Sequence, residues 1–233
     1  MFGIISFNKS YLDKLFTELG DRITSDAEIT ICGGSAVVLN YGFRDATTDI
    51  DLIQCYGIPD SLISTIAKEK DLPSDWMNTN VTVTLSYSKT LLQWRQLYRV
   101  YNHLYVYTIS GEALLCMKLK SFRSNSQDAV DIYGIIEFLK RTGKTYDDVV
   151  SVLRTIYHED STLSVEAEQY LKELMGVSEY VLDDESLQSY SDMLDSGTIT
   201  IEDIPTQFRQ QVLTYKNKAA FVNPLFAATD SLL

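Results

Sequence analysis

The sequence predicts a mixed α/β (α+β) unit, a sheet flanked by helices, followed by a helical C-terminal part. Three observations predict it. Short stretches of strand character at residues 28–32, 48–54 and 105–109 alternate with stretches whose apolar residues recur at helical spacing. Glycine and proline mark the joints, at Gly33-Gly34, Gly42, Pro59 and Gly143. Beyond Gly143 only helical spacing is found, as in Val149, Val152, Leu153 and Ile156, and again in Ala167, Tyr170, Leu171 and Leu174. Strands mixed with helices and then helices alone divide the chain into an α/β domain over 1–143 and a helical domain over 144–233.

Taken in order, Leu12, Leu15, Phe16 and Leu19 predict a helix over 9–23. Residues 28–32 form a strand that Gly33-Gly34 breaks, and 35–40 form a helix ending near Gly42. Residues 48–54 are the second strand. Pro59 suits the first turn of a helix over 59–70. Val81, Val83 and Leu85 alternate, which predicts a third strand over 81–87, and 105–109 is a fourth. Residues 90–103 fit helix or strand equally. Ser110 is placed to cap a helix over 111–122, and a second helix over 127–141 stops at Gly143.

Composition narrows the class. A chain of 233 residues that is 45% hydrophobic can bury a core, and no stretch is long and apolar enough for a membrane span. The net charge of −12 argues against strong non-specific nucleic-acid binding, which needs Lys and Arg on phosphates. It leaves room for a basic protein partner. Three scattered cysteines, Cys32, Cys55 and Cys116, read as reduced buried thiols and a cytoplasmic setting, and with two His a Cys/His zinc site is disfavoured. Met1 to Ser10 has neither the basic start nor the apolar run of a signal peptide.

Two clusters carry chemistry. Gly33-Gly34-Ser35 sits at a strand-to-helix turn, which needs glycine for positive φ and can also seat a phosphate on backbone N–H groups. Asp49 and Asp51 lie two apart on a strand and so share a face, while Ile50 and Leu52 point to the core. A solvent-facing strand end carries such a pair, and so does a site for a hard divalent cation. Arg44 and Thr48 lie in the loop just before. Further on, Lys118 falls within the apolar stripe of Leu115, Leu119 and Phe122, so its ammonium needs an anion: a triphosphate, or an internal carboxylate, unless it snorkels to water. Arg123, Asp128 and Asp131 fit a site or a salt-bridged joint between two helices. Tyr98, Tyr101, Tyr105 and Tyr107 near Arg95, Arg99 and His103 fit base stacking or an amphipathic strand pair.

The order strand, Gly-Gly-Ser, helix, then a strand bearing Asp-Ile-Asp resembles the nucleotidyltransferase-fold superfamily. The segments Leu114-Leu115-Cys116-Met117-Lys118-Leu119 with Arg123, Asp128 and Asp131, and Leu72-Pro73-Ser74-Asp75-Trp76-Met77-Asn78, are similar to bacterial nucleotidyltransferase-like proteins of abortive-infection and toxin–antitoxin type. The resemblance covers roughly residues 28–140. It implies a mixed sheet flanked by helices, with Mg²⁺ (or Mn²⁺) on Asp49 and Asp51. It also implies an NTP bound by Gly33, Gly34, Ser35, Arg44, Thr48, Lys118 and Arg123, with Asp49, Asp51 and Lys118 catalytic.

The activity so implied is transfer of an NMP from the NTP to a hydroxyl of RNA such as tRNA, or of protein. A toxin role would add a cognate antitoxin protein as partner. One departure matters: the superfamily's third carboxylate, on a later strand, has no counterpart in 81–87 or 105–109, and Thr79 stands where relatives carry an acid after Trp-x-Asn. An inactive binding or regulatory protein of the same fold therefore stays open, as does a small-molecule, antibiotic-type transferase.

Overall fold

The structure, a computed structural model, describes residues 6–122, 127–158, 163–177, 182–205, 208–209 and 211–217. The chain opens with β1 (Phe7–Asn8) and α1 (Lys9–Arg22), then β2 (Ala27–Ile31), α2 (Gly33–Asn40), β3 (Ala46–Thr47), β4 (Ile50–Tyr56) and α3 (Asp60–Glu69). There follow β5 (Met77–Asn78), β6 (Arg95–Tyr101), β7 (Leu104–Ile109), α4 (Gly111–Lys120) and α5 (Gln127–Arg141). The last helices are α6 (Tyr146–Tyr157), α7 (Val165–Leu174) and α8 (Asp184–Asp195). The main sheet has the order β5-β4-β2-β7-β6, and β1 pairs with β3 in a two-stranded sheet. β2 runs antiparallel to β4 and parallel to β7, so the sheet is mixed. The architecture is α+β, a mixed sheet flanked by helices and followed by a helical C-terminal part.

Alternation places the core. Ala27, Ile29 and Ile31 of β2 are buried, as are Leu104 and Val106 of β7, the register partners of Ala27 and Ile29. α1 covers this face with Leu12, Leu15, Phe16 and Leu19, and Asn8 caps it by accepting from the Tyr11 N–H (2.9 Å). The Ser110 hydroxyl caps α4 as its position predicts, accepting from the Ala113 N–H at 3.3 Å. Fully buried Trp76 lies just ahead of β5, donates to the Ile63 carbonyl (3.3 Å) and meets Phe7 edge to face. It thereby fixes where β5 meets β4.

Residues 81–87 do not form the expected strand. Asn80–Val83 is a 3-10 turn, and Val83 and Leu85 are 88% and 89% exposed. The threonine hydroxyls explain the difference. Thr82 donates to the Thr79 carbonyl and Thr84 to the Val81 carbonyl, each at 2.7 Å, which offers the backbone local partners in place of a ladder. The ambiguous stretch resolves into a second 3-10 turn, Lys89–Trp94, and the edge strand β6.

The helical part continues the same core. A reciprocal Thr145–Asp148 capping box opens α6, and the Cys116 thiol of α4 lies 3.9 Å from the Val149 carbonyl. One hydrophobic cluster runs from the sheet through α4 and α5 to Val149, Leu153, Ile156, Tyr170 and Leu171. The Tyr170 hydroxyl donates to the Ala129 carbonyl (3.2 Å) and ties α7 to α5. Among the described residues no helix is long and apolar enough to cross a membrane.

One carboxyl in this part is at odds with its surroundings. Glu173 Oε2 on α7 is buried with no hydrogen-bond partner of standard geometry among the described residues, and burial, opposed by the nearby Thr214 hydroxyl, pushes the carboxyl up to about 8. A raised folded value means that stability is fullest at low pH and falls as pH rises from the unfolded value of 4.5 towards about 8. Glu173→Gln is therefore expected to stabilise the protein at pH 8 by on the order of 1–3 kcal/mol, less than full linkage because solvent reaches the group in part. At pH 4 the gain should vanish. Urea unfolding at the two pH values checks this, and equal effects at both would overturn it.

Candidate active site

The site is built where β2 ends. Cys32 is the N-cap of α2 and supplies no side-chain cap, so the first N–H groups of the helix are left for another acceptor. Gly33 has φ +62°, which favours glycine, and a Cβ there would lie 2.6 Å from Asp51 Oδ2. The glycine is thus needed for the turn and again because a carboxylate sits directly upon it. Gly34 is needed for space alone: its Cβ would lie 2.8 Å from the Thr47 hydroxyl and 2.9 Å from the Arg44 guanidinium carbon.

β4 brings Asp51 to this turn, and Asp49 lies just ahead of the strand. The Cys32 N–H donates to the Asp51 carbonyl (2.9 Å), fastening the two strands at the point where the side chains emerge. Burial, with Asp49 beside it, pushes the Asp51 carboxyl up to about 6, against the opposing pull of Lys118 and a hydrogen bond from Asn78. Asn78 is the register partner of Asp51 on β5. Asp49 accepts from the Thr47 hydroxyl at 3.4 Å.

A second wall comes from α4 and α5. Lys118, only 6% exposed, pairs with Asp128 (2.9 Å) and Asp131 (2.7 Å). Arg44 reaches the same Asp131 at 2.6 Å, and its Nε donates to the Ala46 carbonyl (3.0 Å). Asp131 is fully buried and holds cations from two different elements. Of the partners open to Lys118, the internal carboxylates are the ones it meets. These walls, with the 3-10 turn after β5, enclose a cavity of about 510 Å³, within the range of small-molecule sites.

Gly33, Gly34, Arg44, Asp49, Asp51 and Lys118 all line this one cavity. Ser35 does not: it is fully buried, and its hydroxyl donates inward to the Cys32 carbonyl (3.4 Å). Thr48 is exposed and points elsewhere, while the buried Thr47 lines the cavity in its place. Alternation offered that signal, since positions 47, 49 and 51 share a parity. Arg123 lies outside the described residues. The tyrosines divide between the two faces of the β6–β7 hairpin. Tyr98 and Tyr101 donate to Asp13 of α1, and Arg95 stacks on Tyr107 (4.3 Å); none lines the cavity.

The arrangement suits a cation bound together with an anion. Arg44 and Lys118, the cations of the cavity, pair with Asp131 and Asp128 and not with Asp49 or Asp51. Among the described residues no group of three or more His, Cys, Asp or Glu side chains forms a metal site. Two carboxylates suffice for an octahedral cation whose other ligands are phosphate oxygens and water. The residues present therefore fit such an ion.

No curated protein and no solved structure matches the chain. A family model described as "nucleotidyltransferase of unknown function (DUF6036)" matches residues 10–181, from α1 through the cavity to the end of α7. That span covers most of the 233 residues and every described residue that lines the cavity, and the chain belongs to this nucleotidyltransferase family.

Proposed function

We propose that the protein is a divalent-cation-dependent transferase that moves an NMP from an NTP to a hydroxyl acceptor. The observation that carries this reading is the contact of Gly33 with Asp51: two carboxylates facing one cavity sit against a helix N-terminus that no side chain caps. Asp49 and Asp51 would hold Mg²⁺ or Mn²⁺ together with oxygens of the triphosphate. When bound, the ion lowers the pKa of the attacking hydroxyl and offsets charge on the departing pyrophosphate.

The chain's own groups do the positioning. The N–H groups of Gly33 and Gly34 would donate to phosphate oxygens at the positive end of α2. The Arg44 guanidinium lies against Gly34 and so beside that seat. Lys118, balanced by two aspartates, shapes the wall and contributes less net charge than an unpaired lysine would. The acceptor oxygen forms its bond to the α-phosphorus and gives up its proton to solvent water, the bond from that phosphorus to the bridging oxygen breaks, and pyrophosphate leaves with the electron pair. RNA or protein is the acceptor class we favour. A toxin of a toxin–antitoxin or phage-defence pair is the biological role suggested by the resemblance in 72–78 and 114–131.

A second reading has one observation in its favour. Asp51 faces Asn78 on β5, not a carboxylate, and among the described residues no third acid joins the pair. A protein that binds Mg-NTP without transferring it would have this site. In a thermal-shift series, ligand at a hundred times Kd should stabilise by about 2.7 kcal/mol. That is a rise in Tm of roughly 5–10 °C for a chain of this size. The Asp49→Asn/Asp51→Asn double variant should show none of it. Equal shifts in the two proteins would sink both readings.

A further inference from the structure

One wall of the cavity packs only in part: Val81 and Tyr87 lie against the core cluster and Ser86 is buried. Val81, Thr84 and Ser86 line the cavity, yet the 3-10 turn Asn80–Val83 buries no residue, and Val83 and Leu85 face solvent. Its internal bonds are short-range, from the Thr82 N–H to the Thr79 carbonyl (3.0 Å) and from the Thr84 N–H to the Val81 carbonyl (3.0 Å). Such bonds shape the turn, and beyond the partial packing of Val81 and Tyr87 they leave its position to other contacts.

The end of α6 supplies two further ties. The Tyr157 hydroxyl donates to the Ser86 carbonyl (2.5 Å), and the Ser88 hydroxyl donates to the Ile156 carbonyl (2.8 Å). Both contacts join neighbouring residues of the wall to neighbouring residues of one helix. That helix is anchored by the fully buried Ile156 and Val149, so the brace stands on the core. The Tyr157 ring packs against the same cluster with Lys120 over its face (5.4 Å), which fixes the direction of the hydroxyl. Burial also pushes the phenol upward, so it stays a neutral donor wherever the fold is stable.

We infer that Tyr157 is a positioning residue: through Ser86 it sets the place of the wall formed by residues 79–88, and so the width of the nucleotide cavity. This gives α6, in the helical C-terminal part, a share in the site. The word nucleotide rests on the function proposed above; the brace does not.

Tyr157→Phe tests it, since the ring and its packing remain and one hydroxyl is lost. Hydrogen exchange on the full-length protein should quicken in residues 79–88 by roughly three- to tenfold, the change that one lost hydrogen bond brings. Amides of α4 and of the core strands should keep their wild-type protection. With labelled NTP and acceptor, KM for the NTP should rise by a similar factor and kcat should stay within about twofold, the pattern of a lost binding contribution. Ser88→Ala, which cuts the second tie, should quicken exchange in the same segment. Unchanged exchange in 79–88, or faster exchange spread evenly over the protein, would overturn the inference. If wild type binds no nucleotide, the function proposed above fails, while the exchange measurement still decides the brace.

Discussion

Asp51→Asn is expected to cost nucleotidyl transfer roughly 10²–10³-fold or more, the range seen when one group that stabilises transition-state charge is removed. The same change should make the ligand-free protein more stable. The two effects share one cause. With Asp49 beside it and burial around it, the Asp51 carboxyl is raised from 3.8 to about 6, so the folded protein holds a charge it would rather not hold. Folding stability is full at low pH, declines as pH rises from 3.8 to about 6, and stays at the lower level above that. Asparagine keeps the shape and removes the charge. The gain above pH 6 should be roughly 1 kcal/mol once solvent screening of this half-buried group is allowed for, and it should disappear near pH 3.5. Transfer of label from α-³²P NTP and urea unfolding at two pH values give the two readings. A variant that is both inactive and less stable at pH 7.5 would mean that Asp51 has a structural role in place of the one given to it.

How much of this was legible beforehand follows from the range of the forces involved. Gly33, Asp49 and Asp51 could be read because their demands are local: a left-handed turn at one residue, and a period of two along one strand. Ser110 was read as a cap for the same reason. Lys118 could be narrowed only to a few kinds of partner, because the meeting of α4 with Asp131 is set by packing between helices and leaves no local trace. Thr48 stands out in the sequence by its place in the loop just before Asp49, whereas the parity shared by 47, 49 and 51 points to Thr47, which lines the cavity. Residues 81–87 carried a true alternation but also two threonines able to satisfy the backbone locally, and the local bonds won. The strands β1 and β3 are two residues each, too short to have a period at all. Tyr98 and Tyr105 looked like one cluster because sequence distance hides a hairpin. The irregularity between Leu97 and Arg99 and the turn after Tyr101 send them to different faces.

The largest expected loss of stability lies behind the cavity, at Asp131. This carboxylate is fully buried between Lys118 (2.7 Å) and Arg44 (2.6 Å). Asp131→Asn should therefore destabilise the protein by about 3–5 kcal/mol, the cost of leaving buried charge uncompensated. For a chain of this length that lowers Tm by roughly 10 °C. The sign should change when the whole group is taken out. In Arg44→Met/Lys118→Met/Asp131→Leu the desolvated charges are gone and the stems still pack, so stability should return to within about 1–2 kcal/mol of wild type. The triple variant should nonetheless lose nucleotide affinity, because Arg44 no longer lies over the Gly33-Gly34 turn. Urea unfolding with nucleotide titration separates the two outcomes. Asp131→Asn within about 1 kcal/mol of wild type would show that the two cations do not depend on it. A triple variant as unstable as the single one would show that the charges are part of the core's packing and not a costly insertion into it. The expected result, a stable fold with a failed site, would place Arg44, Lys118 and Asp131 in the chain for the cavity's sake and not for the fold's.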